Sequence, residues 1–192
     1  SGTRVKETHE VMNSGVINQD VLNQYKKDVD DVLSGKYKGD DVLVMGGTPK
    51  VYTDIGLGKL PITIDQKHVY SIAKTEAEAK ADGRYKKWEN YHGLGGNAVK
   101  EIIYEIANPI AIIAHPDFAS YNSNKNHKRD STHKVIAIVE FSVEGRNVIA
   151  PIEIDSEQKV NGNNLDVNHV ATYFDKTNIV DILKETVSLE MQ

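Results

Sequence analysis

The chain has 192 residues, with 39% hydrophobic and 27% charged side chains, a formal charge of −5 and no cysteine. That length suits one domain with a sizeable core, and the composition excludes collagen-like, low-complexity and disordered classes. Without cysteine there is no disulfide framework, thiolate zinc site, iron–sulfur cluster or cysteine nucleophile. The longest apolar stretch, Ile106 to Ala114, is broken by Asn108 and Pro109. It falls far short of the ~20 residues a spanning helix needs, so no membrane partner is expected. From residue 151 onward the chain is acid-rich, whereas the body before it is balanced. The most basic stretch is Tyr121 to Lys134, where Lys125, Lys128, Arg129 and Lys134 stand beside His127 and His133.

Ser1-Gly2-Thr3 lacks both an initiator Met and a signal pattern and reads as the start of a domain excised from a longer parent. Ile17, Val21, Leu22, Tyr25, Val29, Val32 and Leu33 recur at helical spacing up to Gly35. They predict an amphipathic helix with a glycine C-cap, packed on the core or linking to what precedes it. Residues 1–39 are taken as an N-terminal extension and 40–192 as the main domain. Asp41 to Met45 is a short apolar run ending in Gly46-Gly47. Thr48-Pro49 then suits an N-cap with proline in the first helical position, for a short helix ending near Gly56. Ile62 to Ile64 reads as a strand, and Asp65 caps a helix carrying Val69, Ile72, Ala73 and Ala77 on one face, with His68 in its first turn.

Arg84 to Tyr91 is polar and aromatic and leads into the glycine-rich His92 to Gly96. Asn97 is then expected to cap a helix bearing Ile102, Ile103 and Ile106 that ends before Pro109. Ile110 to Ala114 is an apolar strand candidate, and the long polar loop from His115 to Ser131 is of a length that usually carries function. Lys134 to Val143 and Val148 to Ile154 flank a hairpin signal at Glu144 to Asn147. Val160 to Asn164 marks a turn, Val167 to Phe174 a further strand, and Ile179, Ile182, Leu183 and Val187 a last helix. This order predicts α+β: N-terminal helices on a roughly four-stranded antiparallel sheet, with a C-terminal helix.

No His spacing gives two ligands on one helix face, so no metal is expected, and Gly93 to Gly96 lacks the full glycine pattern of a nucleotide site. Metal-free cleavage of RNA needs a general base for the 2′-hydroxyl, a general acid for the 5′-oxygen, and donors for the phosphorane charge. The residues able to supply these are His92 before the glycine loop, Lys67 and His68 at a helix start, Ser131, Thr132 and Lys134 leading into a strand, and His169, Thr172 and Tyr173 on the last strand. Strand alternation puts His169 and Thr172 on opposite faces, so at most one of them joins a site.

The Gly46-Gly47-Thr48-Pro49 turn with Gly56, Pro61 to Ile64 leading to His68, His92-Gly93-Leu94, Asn108 to Ile113, Ser131 to Glu140 and Val167 to Tyr173 occur in that order. Over about residues 40–187 this pattern resembles the C-terminal domain of phage MuF-type head-morphogenesis proteins, which also occurs on bacterial polymorphic toxins. The resemblance implies the small α+β ribonuclease grouping of barnase, EndoU, colicin and RelE type, with RNA on the open face of a four-stranded sheet. It further implies a toxin or effector carried by a phage or secreted parent, delivered into the bacterial cytoplasm and held in check by a cognate inhibitor. His92 matches the helix-borne His before Gly-Leu. The late-strand hydroxyl and Tyr match imperfectly: Thr172 is followed two positions on by Phe174, and two positions before Tyr173 the hydroxyl position holds Ala171.

The expected activity is therefore a metal-independent RNA endonuclease without cofactor. His92, His68, His169, Thr172, Ser131 and Thr132 are the catalytic candidates; Lys67, Lys128, Arg129, Lys134 and Tyr173 are the RNA-binding ones. An NAD-dependent ADP-ribosyltransferase is the first alternative, resting on Ser131-Thr132, Glu153 and Asp155 but lacking an early strand Arg. A non-enzymatic phage head module is the second.

Overall fold

Leu22, Tyr25, Val29 and Val32 lie along one face of α1 (Gln19–Ser34) and are all buried in the main core. Asn18 caps the helix through Asp20 N and Val21 N, and Gly35 closes it at φ 77°, a left-handed conformation that suits glycine. The Tyr25 hydroxyl donates to Val99 O at 2.7 Å, so the helix is tied to the core by a satisfied buried polar group as well as by apolar area. In the computed structural model residues 17–114, 134–156, 159–160, 163–164 and 167–172 are described, and for 114, 134, 155–156, 159–160, 163–164 and 171–172 the backbone alone.

β1 (Val42–Gly47) pairs antiparallel with β2 (Pro61–Asp65), and α2 (Lys50–Thr53) lies between them. Thr48 does not cap α2: its hydroxyl donates to Leu60 O at 2.7 Å, and Pro49 takes the cap position. α3 (Gln66–Ala73) is capped by Asp65 as expected but is shorter, because Lys74 is extended (φ −97°, ψ 149°). A Thr75/Glu78 capping box then opens α4 (Glu76–Ala81), so Ala77 belongs to a second helix. The stretch after the glycine loop is likewise two short helices, α5 (Gly96–Lys100) and α6 (Ile102–Ala107). They meet at Glu101, and Gly95 at φ 88° occupies the N-cap expected of Asn97.

β3 (Ala111–Ala114), β4 (Lys134–Val143), β5 (Arg146–Ser156), the short pair β6 (Lys159–Val160) and β7 (Asn163–Asn164), and β8 (Asn168–Thr172) follow. The hairpin between β4 and β5 turns on Glu144 and Gly145 alone, both at positive φ (50° and 75°). That two-residue geometry matches strand twist, and it starts β5 at Arg146, earlier than the Val148 expected. The C-terminal helix expected around residues 179–187 lies outside the described residues.

Among the described residues the sheet has six strands in the order β1-β2-β8-β5-β4-β3. It is larger than the four expected because the β1–β2 pair joins it. It is mixed because β2 and β8, distant in sequence, run parallel, with Thr63 opposite His169. Ile62, Ile64, Ile152, Ile154 and Val170 all enter the core that also holds residues of α1, α3, α5 and α6. Thr63 and His169, one residue out of step, therefore fall on the other face. Among the described residues no helix is long and apolar enough to cross a membrane.

Candidate active site

β2 runs directly into α3, and Asp65 stands at the junction. Its Oδ1 accepts the His68 backbone N–H at 2.8 Å, the ordinary task of an N-cap. Its Oδ2 takes a second role, bonding His68 Nδ1 at 2.5 Å and lying 3.4 Å from His169 Nε2. His169 is held from its other side, Nδ1 standing 2.9 Å from the hydroxyl of the fully buried Thr63. One carboxylate thus holds two imidazoles, and with His68 Nδ1 engaged, Nε2 is the nitrogen left for chemistry. The next position on β8, Asn168, is buried and donates to Thr48 Oγ1 at 2.7 Å and Gly58 O at 3.0 Å. This fixes the start of β8 against the β1–β2 connection.

His92 reaches the same helix from its far end. The backbone N–H groups of His92, Gly93, Leu94 and Gly95 donate to the carbonyls of Ser71, Lys74, Ile72 and Ala73 at 2.8–3.0 Å. The glycine loop therefore caps the C-terminus of α3, the orphan carbonyls any helix leaves. This gives Gly93 and Gly95 a purpose beyond a tight turn: they let a loop lie flat on a helix end and carry His92 with it. Gly93 sits at φ 63°, and a Cβ there would stand 2.7 Å from Thr75 Cγ2. Gly93→Ala should cost about 1–3 kcal/mol from the left-handed backbone and the contact together. Thermal denaturation against the parent checks this, and loss of any activity beyond the stability loss would report displacement of His92.

His68 in α3 and His92 on the loop at its end differ electrostatically. Burial pushes His68 down, but the bond and the charge of Asp65 outweigh it, with Glu89 adding to them, so His68 holds its proton more tightly than a free imidazole. Burial pushes His92 down to about 4, and the charge of His68 adds to this. Burial would likewise raise Asp65, but the bonds from His169 and His68 prevail and hold its carboxyl well below the usual range.

Asp65, His68 and His169 also offer three metal-ligand atoms within 4.8 Å of one another. Ligand atoms around a tetrahedral zinc lie about 3.3 Å apart at bond lengths near 2.0–2.1 Å. The 3.4 Å from His169 to Asp65 suits that spacing, and the 2.5 Å from His68 to Asp65 is closer, a direct hydrogen bond.

Two clefts share Glu89 and Tyr91 in their walls, and His92 lines the second. One of about 300 Å³ is lined by Lys67, Tyr70, Arg84, Lys86 and Tyr91 among others, and one of about 440 Å³ by Tyr85, Lys87, Asn90, Tyr91 and His92 among others. Residues 84–190, more than half of the chain, match the Phage MuF-C-terminal domain family. The chain belongs to this MuF C-terminal family. The match opens at Arg84, so within this MuF domain His92 and His169 fall inside the matched span while Asp65 and His68 precede it. The sheet nevertheless runs across that boundary, since β2 pairs with β8. No curated protein and no solved structure matches the chain.

Of the candidates read from the sequence, the structure of the MuF domain brings His68 and His169 together on Asp65, places His92 on the end of the same helix, and leaves Lys67 exposed beside His68. Thr172 ends β8 opposite Ile152, and Lys134 opens β4 opposite Asp155. Glu153 lies mid-strand in β5, opposite Ile136 and Ala171. Ser131, Thr132, Lys128, Arg129 and Tyr173 lie outside the described residues. The sequence reading used Asp65 only as a cap and Thr63 only as a strand residue. An acid three positions before a His across a helix start was the available signal for the first.

Proposed function

We propose that this MuF C-terminal domain is a metal-independent ribonuclease, with His92 as general base and His68 as general acid. The observation that carries this reading is the pair itself: two histidines docked on one short helix, one held neutral and the other favoured as the cation. Transesterification of RNA asks for that division. Neutral His92 takes the 2′-hydroxyl proton and the 2′-oxygen attacks phosphorus. The bond to the 5′-oxygen breaks, and protonated His68 gives that oxygen a proton through Nε2, leaving a 2′,3′-cyclic phosphate and a 5′-hydroxyl. Asp65 orients His68 and stabilises its cation, as a carboxylate does behind any catalytic imidazole. Lys67 supplies positive charge to the phosphorane, and Thr63 and His169 fix Asp65 from behind. A cytoplasmic RNA target, delivery with a phage or secreted parent and a cognate inhibitor belong to the same proposal. They follow from what such an activity requires of the cell that makes it.

The test is incubation of the domain with total bacterial RNA in excess chelator. Cleavage with 2′,3′-cyclic phosphate ends is expected, undiminished by the chelator. Intact RNA would remove the proposal, and cleavage restored only by added metal would move the chemistry to an ion on Asp65, His68 and His169.

A further inference from the structure

Trp88 is the chain's single tryptophan and is 79% exposed, an unusual position for a side chain with so much apolar surface to bury. It stands at the tip of a β-turn closed by Glu89 N donating to Lys86 O at 3.1 Å, with Lys87 beside it. The turn is braced from within. The Tyr91 hydroxyl accepts Lys86 N–H at 2.8 Å, and the Tyr91 ring lies 5.9 Å from that of Tyr85, tilted by 31°, and 6.4 Å from that of Tyr70, edge-on. Arg84 sits 3.8 Å over the Tyr70 ring. An exposed indole is thus presented on a braced support, one residue chain-wise from the cleft that ends at His92.

Lys86 and Lys87 precede it and Glu89 follows it, so cations outnumber acids in its turn. Lys67, Lys86 and Lys87 form no ion pair among the described residues; of the two acids that line these clefts, Glu89 borders both and Glu76 is taken by Lys80 at 2.9 Å. Exposed aromatic faces interleaved with unpaired lysines bind single-stranded nucleic acid, whose bases stack on the rings while its phosphates meet the cations. A duplex offers no free base face to such a platform. We infer that Trp88, with Lys86, Lys87 and Lys67, forms a stacking subsite for an unpaired nucleotide flanking the scissile phosphate, making single-stranded RNA the substrate. The inference deepens the ribonuclease reading and rests on it for the identity of the strand.

Because Trp88 is the only indole, its own fluorescence reports occupancy. The intact chain is titrated with a non-cleavable 2′-O-methyl octaribonucleotide, single-stranded or annealed to its complement. Saturable quenching by the single strand is expected, with much weaker binding of the duplex. Trp88→Ala, followed by anisotropy of a labelled oligonucleotide, should weaken binding roughly 5- to 150-fold, the range of one lost stack, and raise KM for cleavage while leaving kcat. Trp88→Phe should recover most of the affinity. Absence of quenching, equal affinity of Trp88→Ala and parent, or equal binding of the duplex would each overturn the subsite. Cleavage with an unaltered KM in Trp88→Ala removes the subsite and leaves the nuclease. Quenching in a parent that cleaves nothing, with weaker binding by Trp88→Ala in anisotropy, keeps a single-strand binding site and removes the nuclease.

Discussion

His92→Ala is expected to lower RNA cleavage by about 10²- to 10⁴-fold, the range contributed by one positioned acid or base, with unfolding temperature little changed. His68→Ala should lose a comparable amount, and the double variant little more, since the two act in one proton transfer sequence. The pH profile of the parent follows from the shifts. The base limb rises as His92 loses its proton at about 4, and the acid limb falls as His68 loses its proton above the ordinary imidazole value of 6.5. The rate is therefore expected to have a mildly acidic plateau between those limits. His92→Ala should remove the lower limb and His68→Ala the upper one. Initial rates on a defined dinucleotide from pH 3.5 to 9 check this, and an optimum above pH 8 would contradict the assignment of roles.

Much of the scaffold was legible because it is written in local chemistry. The Pro61–Asp65 strand, the Asp65 cap and the glycine stop at Gly35 each depend on residues within a turn of one another. The splits at Lys74 and Glu101 were not legible, because each interrupts an apolar pattern that reads as one helix. At the first, a capping box starts a new helix immediately and so hides the break. The parallel pairing of β2 with β8 was beyond local pattern altogether, since about a hundred residues separate Thr63 from His169. The same distance explains what was and was not seen of the site. His68, His92 and His169 stood out as residue types, but that one carboxylate joins His68 and His169, and that a glycine loop docks His92 on the helix of His68, depends on register.

Asp65 is where these levels meet, and it separates structure from chemistry in one position. Asp65→Asn keeps an N-cap acceptor for His68 N, so α3 should survive; Asp65→Ala removes the cap and should cost about 1 kcal/mol from that alone. Both remove the charge that holds the His68 proton. Burial then acts on His68 against Glu89 alone, its proton affinity falls, and the upper limb of the pH profile moves down. At pH 7 the Asn variant should therefore lose at least tenfold in kcat with little change in KM. Stability gives an independent reading of the same interaction. Asp65 titrates lower in the folded state, so its contribution is present above the ordinary carboxyl value of 3.8 and is lost as pH falls below it. His68 titrates higher in the folded state, so its contribution is present below 6.5 and is lost as pH rises through its folded value. The gap in unfolding temperature between parent and Asp65→Asn should consequently be widest between about pH 4 and 6.5 and narrow on both sides. A gap that does not vary with pH would mean that Asp65 serves α3 only as a cap.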